Sequence, residues 1–169
     1  MDLNWSASKI DPRILEALEQ QFAFKRMTAV QAATLPLFAN NKDVIVEAVT
    51  GSGKTLAFLL PVLQIIMKKN DYLIKAEGKR IGKYDVHVII ISPTRELASQ
   101  TFQVLQKLLL CEHLSFLSCA LFIGGNSLTV DQQIYREKGG HIVISTPGRL
   151  LDLLQKYPEF TNEVRKHLE

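Results

Sequence analysis

The segment at residues 48–55, Ala-Val-Thr-Gly-Ser-Gly-Lys-Thr, combines glycines, hydroxyls and a lysine in an order that suits phosphate binding. It follows an apolar run at 44–46 and precedes an apolar, helix-like run that begins at Leu56. A glycine-rich loop between a buried strand and a helix directs backbone N–H groups at a polyphosphate, and the helix N-terminus adds positive charge. We therefore predict a phosphate-binding loop. The alternative is a glycine turn that merely precedes a helix.

The side chains of this loop have separate predicted tasks. Lys54 supplies a cation for the outer phosphates, and the Thr55 hydroxyl is a ligand for the Mg²⁺ that accompanies them. The general pattern G-x-x-x-x-G-K-[ST] has glycine where this chain has Ala48, so the match departs at one position. The loop residues predicted to bind nucleotide are Thr50, Gly51, Ser52, Gly53, Lys54 and Thr55.

Upstream of the loop, Phe24 and Gln31 form a pair suited to adenine. A carboxamide both donates to and accepts from the edge of the base, and an aromatic ring stacks on its face. The spacing of Thr28 and Gln31 is equally that of a capping box at the start of a helix. The short segment alone leaves both interpretations open.

Three further apolar runs are followed by residues suited to anions, at 92–97 (SPTREL), 124–125 (GG) and 146–149 (TPGR). Hydroxyls, arginines and exposed amides at a helix start bind backbone phosphates. Singly, the first segment also fits a threonine cap and the second an ordinary glycine turn. Ligands of open parallel sheets bind at the carboxyl ends of strands, so together the segments predict a second, extended polyanion beside the nucleotide.

The elements that position these segments follow from hydrophobic spacing and from start signals such as Asp11-Pro12 and Thr28. Short strands alternate with helix-length segments, which predicts an α/β fold with a parallel sheet covered by helices on both faces. The run at 86–92 has the pattern of a strand buried on both faces. Strands are predicted at 44–48, 86–92, 117–123 and 141–145, and helices at 12–21, from 28, 54–69, 95–110, 129–138 and 148–155.

Composition limits the class of protein. The 169 residues, 47% of them hydrophobic, suffice for one domain or most of one, and a net charge of +3 permits a polyanionic partner. Early charged residues argue against a secretory signal, and the apolar stretch 58–67 is too short for a membrane span, so we expect an intracellular protein. Cys111 and Cys119 are expected to be reduced, with neither a disulfide nor a zinc site.

Together the motifs resemble those of DEAD-box RNA helicases, in the N-terminal RecA-like domain, over residues 5–155. Residues 24–31 are similar to the adenine-reading Q motif and 48–55 to motif I, in which Ala at the first position is usual. Residues 93–97 resemble motif Ia, 124–125 the GG doublet and 146–149 motif Ib.

The resemblance implies a RecA-like P-loop ATPase domain that binds ATP, Mg²⁺ and single-stranded RNA, and a parent protein that unwinds RNA. Backbone contacts carry no sequence information, so unwinding is expected to be sequence-independent. The implied nucleotide contacts outside the loop are Trp5, Phe24, Arg26 and Gln31. The implied RNA contacts are Pro93, Thr94, Arg95, Glu96, Gly124, Gly125, Thr146, Pro147, Gly148 and Arg149.

Three positions depart from the family pattern. Ala23 stands where the family prefers glycine, and Met27 and Ala29 stand where it prefers proline. Residues 41–61 look most similar to members that act in large-ribosomal-subunit assembly. That resemblance implies ribosome-assembly partners and a nuclear or nucleolar location, and otherwise a cytoplasmic one, for a monomeric protein.

Parts of the family pattern are missing from this sequence, which contains no Asp-Glu pair. The family places its Asp-Glu-Ala-Asp tetrad and a second RecA-like domain after motif Ib. We therefore expect a domain that is incomplete at its C-terminal end, with a Q-motif region at 1–31 and a nucleotide- and RNA-binding core at 44–155. Phosphoryl transfer needs several charged groups at once, so the chain alone is expected to bind ATP weakly and to hydrolyse it negligibly.

Two other functions stay open: a DNA-acting P-loop helicase, and a non-catalytic module that binds RNA or docks a partner. The basic segment 70–85 is predicted to be an exposed loop, either a plain surface insertion or an RNA contact. The histidines have no catalytic pairing in the sequence and are predicted to be structural or superficial; they are His87, His113, His141 and His167.

Overall fold

A computed structural model describes residues 2–40 and 42–168, so Met1, Asn41 and Glu169 lie outside the described residues. These residues form a parallel sheet of β1 (Val88–Ile91), β2 (Cys119–Phe122) and β3 (Ile142–Ser145). The strand order is β1-β3-β2, with Ile90 and Leu121 both in register with Ile144. β3 is therefore the central strand, and its four residues are all buried.

Three of the described helices precede β1, one lies between each two successive strands, and two follow β3. The helices are α1 (Pro12–Phe22), α2 (Ala29–Ala39), α3 (Lys54–Glu77), α4 (Arg95–Leu108), α5 (Leu128–Lys138), α6 (Pro147–Lys156) and α7 (Pro158–His167). Short 3₁₀ turns lie at Trp5–Ala7 and Glu112–Leu114. α7 has no counterpart among the helices predicted from the sequence.

Two apolar cores lie on opposite faces of β3, because successive side chains of a strand alternate. Ile142 and Ile144 pack in the core that α1, α3 and α4 cover. Val143 packs in the core that α5, α6 and α7 cover, around Tyr135 and Phe160. The predicted α/β class, with helices on both faces of a parallel sheet, is confirmed.

The predicted helix starts are also confirmed. The Asp11 carboxylate accepts the Arg13 N–H at 2.9 Å, and Pro12 occupies the first helical position of α1. Thr28 caps α2, and Gln31 completes the capping box.

The predicted strand at 44–48 is wrong. None of the three described strands pairs with this segment, and Ile45 is fully exposed. An apolar run becomes a buried strand only where a neighbouring strand takes up its backbone hydrogen bonds. The local pattern predicts the apolar character but does not supply that neighbour.

The predicted end of α3 at residue 69 is also wrong, since the helix continues to Glu77 and ends at Gly78 with φ +66°. Asp71 pairs with Arg13 at 2.5 Å, and the buried Asn70 side chain accepts the Ile81 N–H at 3.2 Å. These tertiary contacts offset the loss of apolar periodicity after residue 69. The predicted loop at 70–85 is therefore helical as far as Glu77, and only residues 78–85 are non-helical.

Two burial predictions fail because of position in the fold. β1 is an edge strand of the described sheet, and its Ile91 is 58% exposed although burial on both faces was predicted. The apolar spacing of the predicted helix at 95–110 also places Leu97, Val104, Leu105 and Leu108 on its inward face. Leu105 and Leu108 are buried, whereas Leu97 lies in the first turn of α4 and is 47% exposed.

Both cysteines are free thiols, as predicted, and burial raises the pKa of the Cys119 thiol to about 11. None of the described helices is both long enough and apolar enough to cross a membrane.

Candidate nucleotide and nucleic-acid site

A groove lies at the carboxyl ends of the three strands, where it has a volume of about 770 Å³. The turn after β1, the glycine pair after β2 and the start of α6 after β3 all line it. Of the residues predicted to contact RNA, all except Pro147 lie in this lining, and Asp152 joins them. The lining residues are Pro93, Thr94, Arg95, Glu96, Gly124, Gly125, Thr146, Gly148, Arg149 and Asp152.

Arg95 lies against the glycine pair. A Cβ atom built on Gly124 would lie 3.0 Å from Arg95 Nη2, and one built on Gly125 would lie 3.1 Å from Nη1. Gly125 also has φ +119°, a conformation that L side chains rarely adopt. The backbone conformation of Gly125 therefore favours glycine, and a side chain at either position would displace the Arg95 guanidinium.

Arg149 is held by two partners and is only 9% exposed. Its Nε lies 3.2 Å from Asp131 Oδ2, and its Nη2 donates to the Asn126 carbonyl. The ion pair therefore joins α6 to α5, and the hydrogen bond to Asn126 holds the loop that carries the glycine pair against α6. Burial raises the pKa of the Asp131 carboxyl, and the nearby Arg149 charge opposes that rise.

Asp131 is not among the site residues predicted from the sequence, although its position on α5 is an indication of its role. Asp131 and Tyr135 are four residues apart on α5 and both are buried. A carboxylate on the apolar face of a helix requires a cationic or hydrogen-bonding partner.

The two threonines at the groove differ in whether their hydroxyls cap a helix. The Thr94 hydroxyl accepts the Leu97 N–H at 3.2 Å, so the capping interpretation of this residue is correct. Its O–H remains a donor, so capping does not exclude a phosphate contact. Thr146 starts α6 without a side-chain cap bond.

The loop before α3 has the features of a phosphate cradle. Gly51 and Gly53 have φ of +81° and +91°, and α3 begins at Lys54 directly after them. The Lys54 ammonium donates to the carbonyl oxygens of Ala48 and, at 2.7 Å, Val49. The buried Ser52 hydroxyl has no hydrogen-bond partner among the described residues. That unsatisfied hydroxyl and the positive end of α3 fit a bound phosphate.

Gln31 connects α2 to this loop. Its Nε2 donates to the Gly53 carbonyl at 3.1 Å, and its Oε1 accepts the Thr28 N–H at 2.8 Å. A Cβ atom at Gly53 would lie 2.7 Å from Gln31 Nε2, so the close approach needs glycine. The capping box is present, and the same carboxamide contacts the phosphate loop.

The aromatic residues form a separate group. Trp5 Nε1 donates to the Phe24 carbonyl at 2.8 Å, and the Phe24 ring stacks on Phe22 with centroids 5.6 Å apart. Phe24 is 49% exposed and lines a cavity of about 450 Å³ with Trp5. Arg26 is exposed, and its backbone forms an antiparallel bridge with Asn4. The direct contacts therefore connect Trp5 to Phe24, and Gln31 to the phosphate loop.

Comparison with known proteins gives one family. The model of the DEAD/DEAH box helicase family matches residues 28–167. The chain is 45% identical over 154 residues to the ATP-dependent RNA helicase DDX55 of Gallus gallus, covering 90% of this chain and 24% of that protein. It is 45% identical over 170 residues to the ATP-dependent rRNA helicase SPB4 of Debaryomyces hansenii, covering 96% of this chain and 27% of that protein.

A solved structure of Mss116p bound to ssRNA and AMP-PNP superposes with a TM-score of 0.79 at 29% identity, covering 99% of this chain and 31% of the other. The fold is thus that of a helicase RecA-like domain, and the chain belongs to the DEAD/DEAH box helicase family. It spans about a quarter of the length of the curated relatives it matches.

Proposed function

We propose that this chain is the part of a DEAD-box RNA helicase that binds ATP and single-stranded RNA. The proposal rests on the composition of the groove. Arginine, threonine and exposed glycine backbone lie together there, at the ends of three strands. Such donors at strand ends bind the phosphates of an extended nucleic acid. The proposed units are a Q-motif region at 1–31 and a nucleotide- and RNA-binding core at 44–155.

The nucleotide would lie on the loop before α3. The proposed phosphate contacts are the backbone of residues 50–53, the Ser52 hydroxyl and the Lys54 ammonium, and the Thr55 hydroxyl is the proposed ligand for Mg²⁺. Lys54 already contacts loop carbonyls, so a phosphate would replace those weaker acceptors. Trp5, Phe24, Arg26 and Gln31 would hold the base and make the site selective for adenine. Hydrolysis of the bound ATP would transfer its terminal phosphoryl group to water and drive the cycle of the whole helicase.

RNA would lie in the groove with its phosphates toward Arg95, Thr94 and Thr146. Arg149 has a different proposed role, because its guanidinium is occupied by Asp131 and Asn126. It would hold the Gly124-Gly125 loop in place and offer only its remaining N–H groups to RNA. Because the donors face a sugar-phosphate backbone, binding would not depend on base sequence.

Further proposals concern the whole protein. Local strand separation would require a second RecA-like domain and the carboxylates of the family tetrad, so this chain alone would bind ATP weakly and hydrolyse it negligibly. The name "rRNA helicase" of one relative supports a role in ribosome assembly and a nuclear or nucleolar location. On the same resemblance, we propose that the protein is a monomer and that ribosome-assembly proteins are its partners.

Two single substitutions test the nucleotide site and the RNA site separately. Lys54→Ala removes a charge-assisted phosphate contact worth about 1.5–3 kcal/mol, so the affinity for a fluorescent ATP analogue should fall at least tenfold. Arg95→Ala should weaken single-stranded RNA binding and lower the slope of log K against log salt by about 0.7. Each variant should leave the other ligand's affinity unchanged when that ligand is measured alone.

Arg165→Ala is the matched control, because Arg165 is exposed on α7 and does not line the groove. Equal loss of RNA affinity in Arg95→Ala and Arg165→Ala would show that the groove is not the RNA-binding site. Equal affinity for GTP and ATP analogues would refute adenine selectivity. Tighter binding to DNA than to RNA of the same sequence would favour the DNA-helicase alternative, since only RNA offers 2′-hydroxyls.

A further inference from the structure

A cluster of metal-binding side chains lies at the opposite end of the sheet from the groove. Asp85 stands shortly before β1, whereas the groove residues follow the carboxyl ends of the strands. Glu163 and His167 are four residues apart on α7, which places them on the same face of the helix. One ligand atom from each residue lies within 4.8 Å of the other two.

The two distances from the imidazole to the carboxylates in this cluster fit a tetrahedral metal ion. His167 Nε2 lies 3.4 Å from Asp85 Oδ1 and 3.4 Å from Glu163 Oε2. Charge-assisted hydrogen bonds between such groups are shorter, about 2.7–2.9 Å. Ligand bonds of about 2.0–2.1 Å in a tetrahedron place neighbouring ligand atoms about 3.3–3.4 Å apart.

Neighbouring groups orient the two carboxylates, and a third contact holds the helix end that carries the imidazole. The Gly82 N–H donates to Asp85 Oδ2 at 2.7 Å, which leaves Oδ1 toward the imidazole. Lys166 pairs with Glu163 Oε1 at 3.1 Å, which leaves Oε2 toward the same ring. His87 Nδ1 lies 3.1 Å from the His167 carbonyl oxygen and anchors the end of α7. Partners of this kind fix ligand geometry in metal sites.

A cavity of about 460 Å³ adjoins the cluster. Asp85 and Glu163 both line it, together with Tyr84, Tyr135 and Tyr157. A metal ion held by the three side chains would have its fourth position toward this cavity. Three protein ligands with one open position is the arrangement of zinc sites that bind water or a further ligand.

We propose that Asp85, Glu163 and His167 bind one Zn²⁺ ion. Two carboxylates and an imidazole suit zinc better than Mg²⁺ or Ca²⁺, which prefer an all-oxygen set. The two carboxylates also balance the double charge of the ion. This site is independent of the proposed nucleotide and RNA sites.

Calorimetric titration of the metal-free 169-residue chain with Zn²⁺ tests the proposal. One ion should bind per chain, and His167→Ala and Asp85→Asn should each weaken binding at least tenfold. His113→Ala is the matched control, because His113 also faces a carboxylate, Glu16 Oε2 at 3.3 Å, but lies outside the cluster. It should bind Zn²⁺ as the unmodified chain does.

Co²⁺ substitution gives a second readout. Its visible absorption should have the intensity of tetrahedral coordination and should be lost in the isosteric variant Glu163→Gln. Circular dichroism of each metal-free variant separates loss of a ligand from loss of the fold. Equal Zn²⁺ affinity in all variants, binding only at millimolar Zn²⁺, or a thiolate charge-transfer band from Cys111 or Cys119 would overturn the proposal.

Discussion

The Gln31 carboxamide forms hydrogen bonds through both its oxygen and its nitrogen, so this one side chain connects α2 to the phosphate loop. Its oxygen completes the capping box of α2, and its nitrogen binds the Gly53 carbonyl in the phosphate loop. The sequence left capping and adenine binding as alternatives. The structure confirms the first and places the same side chain against the loop, so capping does not exclude the second.

Ala23 is the residue where a departure from the family pattern has a structural consequence. It ends α1 with φ +52°, in the left-handed region that an L side chain adopts at a cost of about 1–2 kcal/mol. Glycine adopts this conformation without that cost, although it loses more entropy on folding. The family preference for glycine at this position therefore has a backbone explanation.

We predict that Ala23→Gly stabilises the chain by about 0.5–1 kcal/mol, the net of relieved strain and added entropy loss. Urea denaturation would measure the change. Ala76→Gly in the exposed part of α3 is the control and should destabilise by about 0.5–1 kcal/mol. A loss of stability in both variants would show that Ala23 is not strained.

At the scale of elements, α3 shows where local patterns fail. Its apolar spacing weakens after residue 69, yet the helix continues for two more turns. Asn70 is buried there, and its side chain satisfies the backbone N–H of Ile81 across the turn. This contact joins residues eleven positions apart, so helical periodicity carries no sign of it.

We expect Asn70→Ala to destabilise the chain by about 1–3 kcal/mol, because it leaves the buried Ile81 N–H without its acceptor. The midpoint of thermal unfolding would report the loss. Asn162→Ala, at an exposed position of α7, should change stability by less than about 0.5 kcal/mol. Similar midpoints for the two variants would mean that the Asn70 contact contributes nothing.

At the scale of the whole molecule, the two ends of the sheet differ in chemistry. The carboxyl ends carry the groove with Arg95, and the opposite end carries buried imidazoles such as His141. His141 Nδ1 accepts the Ser118 N–H at 2.9 Å, and its Nε2 donates to the Gly82 carbonyl at 3.0 Å. Its neutral form therefore holds together the segments before β1, β2 and β3.

Burial lowers the pKa of His141 below its usual value of 6.5, so we predict that acid destabilises the fold. A depressed pKa contributes stability that is present above the unfolded value and lost as the pH falls through the folded value. The free energy of unfolding should therefore fall between pH 7.5 and 5.5.

NMR titration of the His141 ring should give a pKa below 6.5. His141→Asn should flatten the dependence of stability on pH, whereas His113→Asn at an exposed position should keep it. A His141 pKa above 6.5 would contradict the prediction.

The amino-acid sequence alone is enough to predict the family, the α/β class and the residues that follow the strand ends. Those features are local: a glycine loop, a capping threonine or an arginine after an apolar run is visible within a few residues. The groove was predictable for the same reason, since the carboxyl ends of parallel strands share one edge of a sheet.

The packing of the folded chain makes β3 the central strand, leaves residues 44–48 unpaired with any described strand and holds Arg149 against Asp131. It alone brought Asp85 beside Glu163 and His167. These outcomes depend on contacts between elements that are distant in the chain. Local spacing shows which face of an element is apolar, but the packing of elements decides what that face meets.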